Sequence, residues 1–200
     1  MTRLILVRHG ETIWNNEHRF QGSADVPLNE AGLAQAQAVG QKLANIPFSR
    51  IVSSDLARAY QTAEAVSQHH SHLTLEKDGR IQEIGFGKWE GLTYAQIQEK
   101  YPDDLKAWEA NIMTPPTEGE SAADFLVRIA DFGSQFKPYQ KGEVVGIVGH
   151  GGSMQMLLCH FLKLPPEAFW RFRMANTAVT EIRLYEDGGM LHSFNDTSHL

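Results

Sequence analysis

Three short runs constrain the fold of this chain more than anything else in it: Arg3-Leu4-Ile5-Leu6-Val7-Arg8, Arg50-Ile51-Val52-Ser53 and Val144-Val145-Gly146-Ile147-Val148. Each is apolar and β-branched at consecutive positions, whereas a half-exposed strand would alternate with polar residues. Such strands are buried on both faces. Between them the spacing turns helical, with Leu33, Ala36, Val39 and Leu43 inside Glu30 to Leu43. A second helix carries Leu56, Tyr60, Ala63 and Val66 after a cap at Ser54 or Asp55, a third runs from Ser121 to about Phe136, and a fourth from about Met154 to Leu162. Strands alternating with helices predict an α/β domain, a three-layer α/β/α sandwich around a mostly parallel sheet.

The remaining segments fill in around that core. A short strand is expected at Leu73-Thr74-Leu75, and loops with short helices from Gly79 to Pro116. A turn follows at Lys141-Gly142, and strands Val179 to Tyr185 and Met190 to Phe194 flank a hairpin at Asp187-Gly188-Gly189. With 200 residues and 42% apolar content, one domain over residues 1–200 is the expectation.

Ligands of parallel sheets collect at the carboxyl ends of the strands. Here those ends carry Arg8-His9, Arg58 one turn into the following helix, and His150. Two guanidinium groups and two imidazoles at one sheet edge suit a phosphate dianion, because the guanidinium fork binds its oxygens in pairs and an imidazole can donate or attack. Gly10 and Gly151 would let backbone N–H groups approach the same anion. The formal charge of −6 argues against a nucleic-acid partner, which needs a basic surface, while a local cationic pocket for a small anion is compatible with it. The single Cys159, the lack of a signal-like segment before the first strand and the absence of a long apolar stretch predict a cytoplasmic protein with no membrane association.

At this point the residues match a known pattern. Leu6-Val7-Arg8-His9-Gly10-Glu11-Thr12 with Trp14-Asn15, then Ser53-Ser54-Asp55-Leu56-Ala57-Arg58-Ala59 with Gln61-Thr62-Ala63, resemble segments of the histidine phosphatase superfamily, also called phosphoglycerate mutase-like. Glu83-Ile84 with Gly87-Lys88-Trp89-Glu90-Gly91 resembles its acidic loop, and Val148-Gly149-His150-Gly151-Gly152 its second histidine segment. The resemblance implies a phosphoglycerate mutase-like fold and a phosphatase that works without metal or cofactor. It implies that His9 is the nucleophile, that Arg8, Arg58 and His150 surround the phosphoryl oxygens, and that Glu83 is the general acid and base. Asn15, Gln21, Gly22 and Gly151 correspond to further phosphate contacts. Spacing alone does not separate Glu83 from its neighbours Glu76 and Glu90.

The chain resembles the phosphatase branch rather than the mutases, which carry a longer insertion before the second histidine. Pro165 to Phe172 followed by Asn176-Thr177 resembles α-ribazole-5′-phosphate phosphatases of cobalamin biosynthesis, with phosphoserine phosphatases and phosphoglycerate mutases as alternatives. A flat leaving group would stack on Phe86 or Trp108, and Trp89, Phe20 and Met113 are further candidates to line its pocket. The partner expected is a small phosphate monoester; a homodimer is left open. A catalytically silent phospho-ligand module is the reading from another class. His69-His70-Ser71-His72 reads as a solvated helix end rather than a metal site, and Gly149-His150-Gly151-Gly152-Ser153 lacks the central serine of a nucleophile elbow.

Overall fold

The computed structural model describes residues 1–138 and 142–200. Lys141 of the expected Lys141-Gly142 turn lies outside the described residues. The three apolar runs form β1 (Thr2–Arg8), β2 (Arg50–Ser53) and β4 (Val144–Gly149), joined by β3 (Leu75–Lys77), β5 (Val179–Tyr185) and β6 (Gly188–Asp196) in one sheet of order β3-β2-β4-β1-β5-β6. The first four are parallel, and β5 and β6 run antiparallel at one edge.

Strand β1 shows why continuous apolar sequence means a sandwich. Its alternate side chains point to opposite faces. Leu4 and Leu6 join a core with Phe125, Ile129 and Phe132 of α6 (Ala122–Ser134) and Leu157 and Phe161 of α7 (Gly151–Leu162). Ile5 and Val7 join a second core with Val39 and Leu43 of α2 (Glu30–Leu43) and Ala63 and Val66 of α3 (Ala57–Ser67). The remaining α-helices among the described residues are α1 (Ile13–Asn16), α4 (Tyr94–Lys100) and α5 (Pro102–Ala110). The three-layer class expected from sequence is therefore the one observed.

Local departures have identifiable causes. Helix α3 begins at Ala57 with Leu56 in the cap position, not Ser54 or Asp55, because its Ala57 N–H donates to Asp25 Oδ1 at 2.6 Å. The cap arrives from a loop 32 residues upstream. Strand β3 sits two residues later than expected, where Leu75, Glu76 and Lys77 pair with Ile51, Val52 and Ser53. The last hairpin turns at Glu186-Asp187 instead of Asp187-Gly188-Gly189, since Gly188 and Gly189 are already paired with Tyr185 and Leu184.

Helix α2 approaches the loop after β1 through two glycines. A Cβ on Gly10 would lie 2.5 Å from the Gly32 carbonyl oxygen, and one on Gly32 would overlap the Glu11 carbonyl. Gly32→Ala is expected to cost about 1–3 kcal/mol through overpacking. A urea midpoint equal to that of the parent chain would show that the loop yields without penalty.

Candidate active site

Strand register builds the site. Arg8 of β1 pairs with Gly149 of β4, so the next residues, His9 and His150, leave the sheet side by side with ring centroids 5.1 Å apart. Ser53 pairs with Val148, which brings Ser54 to His150 and places Arg58 one turn further along the same edge.

His9 is 3% exposed, and its Nδ1 lies 2.7 Å from the Gly10 carbonyl. A carbonyl only accepts, so Nδ1 carries the proton and Nε2 keeps its lone pair. Burial, with Arg58 and Arg8 nearby, holds the ring well below the usual histidine range, so it is neutral at neutral pH. The His9 carbonyl accepts from the Asn176 amide at 3.0 Å and from the Thr177 N–H at 3.3 Å, which fixes the backbone behind the ring.

Arg58 is fully buried. Its Nη1 donates to the Ala24 carbonyl at 2.6 Å, its Nη2 to the Gly22 carbonyl at 2.8 Å, and its Nε to His150 Nδ1 at 3.2 Å. Burial lowers it to about 10 against the pull of Glu83, Asp25 and Glu90, so it stays charged. Because Arg58 Nε donates to His150 Nδ1, the His150 proton sits on Nε2, which donates to Ser54 Oγ at 2.9 Å. Burial, Arg58, His9 and Arg8 together push His150 well down, so this ring is neutral too.

Arg8 donates through Nη1 to the Met174 carbonyl at 2.6 Å, while its buried Nε has no acceptor among the described residues. Burial lowers its pKa, partly offset by Glu83. A buried donor without a partner costs roughly 1–3 kcal/mol, and an anion beside it would supply the acceptor.

Arg8, His9, Asn15, Gln21, Gly22, Arg58 and Glu83 line one cavity of about 240 Å³. Gly151 lines an adjoining cavity of about 260 Å³. His150, fully buried, is not among the lining residues and sits behind His9 and Arg58. Of the nine sequence-derived site residues, eight thus face one of two contiguous cavities and the ninth supports them.

Glu83 is separated from its neighbours by its surroundings. Its Oε1 accepts from Ile84 N–H and its Oε2 from Gly152 N–H, each at 3.0 Å, and it lines both cavities. Glu76 is paired with Arg50, and Glu90 accepts from the Ser23 and Phe86 N–H groups. The aromatic expectations need correction. Trp89 is fully buried in a cluster with Ile97 and Leu105, and neither Trp108 nor Met113 lines either cavity. Phe20 and Phe86 line both, and Phe169, Trp170 and Met174 line the second. Gly152, Ser54, Asn176 and Arg173 were not singled out from sequence as site residues. The Gly151-Gly152 pair was a readable signal, since a Cβ at Gly152 would overlap the Glu83 carboxylate. The histidine cluster after α3 is structural at His70, whose Nε2 contacts the Leu43 carbonyl at 3.2 Å while its ring packs edge-on against Phe48.

The guanidinium groups of Arg8 and Arg58 and the neutral imidazole of His9, gathered in one cavity at the carboxyl edge of parallel strands, define an α/β enzyme that handles phosphoryl groups. The histidine phosphatase superfamily (branch 1) matches residues 4–197; the chain belongs to that superfamily and is a phosphoric monoester hydrolase. Phosphoserine phosphatase 1 of Hydrogenobacter thermophilus is 33% identical over 201 residues, covering 100% of this chain and 95% of that protein. A putative α-ribazole-5′-P phosphatase structure from Escherichia coli has a TM-score of 0.91 at 28% identity, covering 98% of this chain and 96% of that one. A mycobacterial glucosyl-3-phosphoglycerate phosphatase, solved in complex with VO3, has a TM-score of 0.87 at 31% identity, covering 98% and 100%. Among the described residues, no helix is long and apolar enough to cross a membrane.

Proposed function

We propose that the chain hydrolyses a small organic phosphate monoester through a phosphohistidine on His9. The observation that carries this reading is the junction of the two cavities: Arg8, Phe20, Glu83 and Phe86 line both, so a carboxyl group stands between the anion pocket and a second pocket large enough for an alcohol. In the first step His9 Nε2 attacks phosphorus, the bond from phosphorus to the substrate oxygen breaks, and the Glu83 carboxyl gives that oxygen its proton. In the second, Glu83 takes a proton from water as the water oxygen attacks phosphorus, the N–P bond breaks, and inorganic phosphate leaves a neutral His9. Arg8 and Arg58 hold the phosphoryl oxygens throughout, with Asn15, Gln21 and the Gly22 turn lining the same cavity. His150 acts through Arg58, which it holds in orientation.

The leaving group we propose is flat and aromatic, α-ribazole from its 5′-phosphate, as in cobalamin biosynthesis. The rings of Phe20, Phe86 and Trp170 along the second cavity support it. The cytoplasmic setting expected from sequence belongs to the same proposal. A second reading, phosphoserine or a phosphoglycerate, is favoured by Arg173. This exposed guanidinium lines the second cavity, has no hydrogen bond or ion pair among the described residues, and suits a substrate carboxylate. A panel of α-ribazole phosphate, phosphoserine and 3-phosphoglycerate separates them. Expected is a kcat/KM at least about tenfold higher for α-ribazole phosphate, little changed in Arg173→Met. The reverse order, with Arg173→Met raising KM only for the carboxylated substrates, would select the second reading. No turnover of any monoester would remove both.

A further inference from the structure

The carboxylate of Glu83 is held at its tip by two N–H groups, but the backbone that carries it lies in a segment outside the regular helices and strands. What fixes that backbone is a side chain of α6. Arg128 donates through Nη1 to the carbonyls of Arg80 at 2.7 Å and Gln82 at 2.8 Å, and through Nη2 to the carbonyl of Glu83 itself at 2.9 Å. Its Nε and Nη2 also donate to the two carboxylate oxygens of Glu120, at 2.6 and 2.7 Å. Glu120 in turn accepts from Gly85 N–H at 3.2 Å and donates its own N–H to the Gly85 carbonyl at 2.8 Å. The guanidinium also lies over the Phe125 ring, 4.7 Å from its centroid.

All five N–H groups of this guanidinium are therefore spent, three on loop carbonyls and two on Glu120, so none is left for a substrate oxygen. We propose that Arg128 is a positioning residue for the general acid, holding the main chain on both sides of Glu83 against a helix of the rigid core. The proposal rests on the acid role of Glu83 given above. A charge alone cannot do this work. Lysine has three donors on one flexible point and cannot span carbonyls at 80, 82 and 83 together with Glu120. Acid catalysis depends steeply on the placement of the proton donor, and displacement by about 1 Å can cost on the order of 10²-fold. The oxygens of the anion pocket are held by other side chains, so binding of the phosphoryl group is expected to survive the loss of Arg128.

The test compares two substrates in the same preparation: an alkyl phosphate, whose leaving oxygen needs a proton, and nitrophenyl phosphate, whose leaving oxygen needs little. Misfolded protein lowers both rates alike, so their ratio is independent of the folded fraction. Glu83→Gln calibrates the assay and is expected to slow the alkyl ester about 10²-fold or more beyond the nitrophenyl ester. Arg128→Met is expected to show the same bias at about tenfold or more, with vanadate affinity unchanged and no recovery in Arg128→Lys. Equal slowing of both esters by Arg128→Met, or no slowing, while Glu83→Gln keeps its bias, would overturn the positioning role and leave the acid role intact. Recovery in Arg128→Lys would also overturn it. An unbiased Glu83→Gln would remove the acid role and this proposal with it.

Discussion

In His9→Ala, phosphatase activity is expected to fall on the order of 10⁴-fold or more, and acid-labile, base-stable labelling of the protein by substrate phosphate is expected to vanish. The size follows from what the ring does that no neighbour can. It is the imidazole at the sheet edge of the anion cavity, with its Nε2 lone pair free because its Nδ1 is committed to the Gly10 carbonyl. His150 cannot substitute, because both its ring nitrogens are engaged, Nδ1 by Arg58 and Nε2 by Ser54. His18 lines the same cavity on a different loop, away from the sheet edge that anchors His9. Hydrolysis and labelling that persist unchanged in His9→Ala would rule out the phosphohistidine route.

Arg58→Ala is the second substitution with a large expected effect, and it should appear in two independent measurements. Removing the guanidinium takes away a cation lining the anion pocket, a loss of about 10²–10³-fold in kcat/KM. It also strands the Gly22 carbonyl and His150 Nδ1 in a buried setting, each at about 1–3 kcal/mol without being additive, and frees the part-buried Ala24 carbonyl, so the urea midpoint should fall clearly. Arg58→Lys restores the charge but not the fork, and is expected to recover part of the stability and little of the activity. A stable, active lysine variant would mean that the charge suffices and the three-way geometry does not matter.

The phosphate half of the site was legible in the linear sequence for a physical reason. Arg8 and His9, and Gly149 and His150, lie directly at the ends of strands whose apolar runs declare themselves, and parallel register then carries them together. Glu83 was not separable from Glu76 and Glu90 by pattern, because what distinguishes it is a pair of N–H groups, one of them from Gly152, 69 residues away. The same reason hid Arg128, which reads on α6 as one more helix charge until its carbonyl partners are seen. The α3 cap is not readable from its own neighbourhood, because its acceptor, Asp25, comes from a distant loop. The sequence leaves Trp89 open between pocket and core, because an aromatic side chain beside glycines reads the same whether it faces ligand or core.

The position of β1 has a consequence for the timing of the protein's birth. This strand is made early, yet both its neighbours come late: Arg3 pairs with Val144 on one side and with Arg183 on the other. At about 5–20 residues per second, a ribosome needs on the order of ten seconds or more to supply the first partner. Throughout that interval the apolar run Leu4-Ile5-Leu6-Val7 has neither of its strand partners, the kind of exposed hydrophobic segment that aggregates. The cavity around His9 closes only after Asn176 and Thr177 have emerged to grip its carbonyl. The nucleophile's backbone is thus secured only once a segment 167 residues downstream of it has left the tunnel.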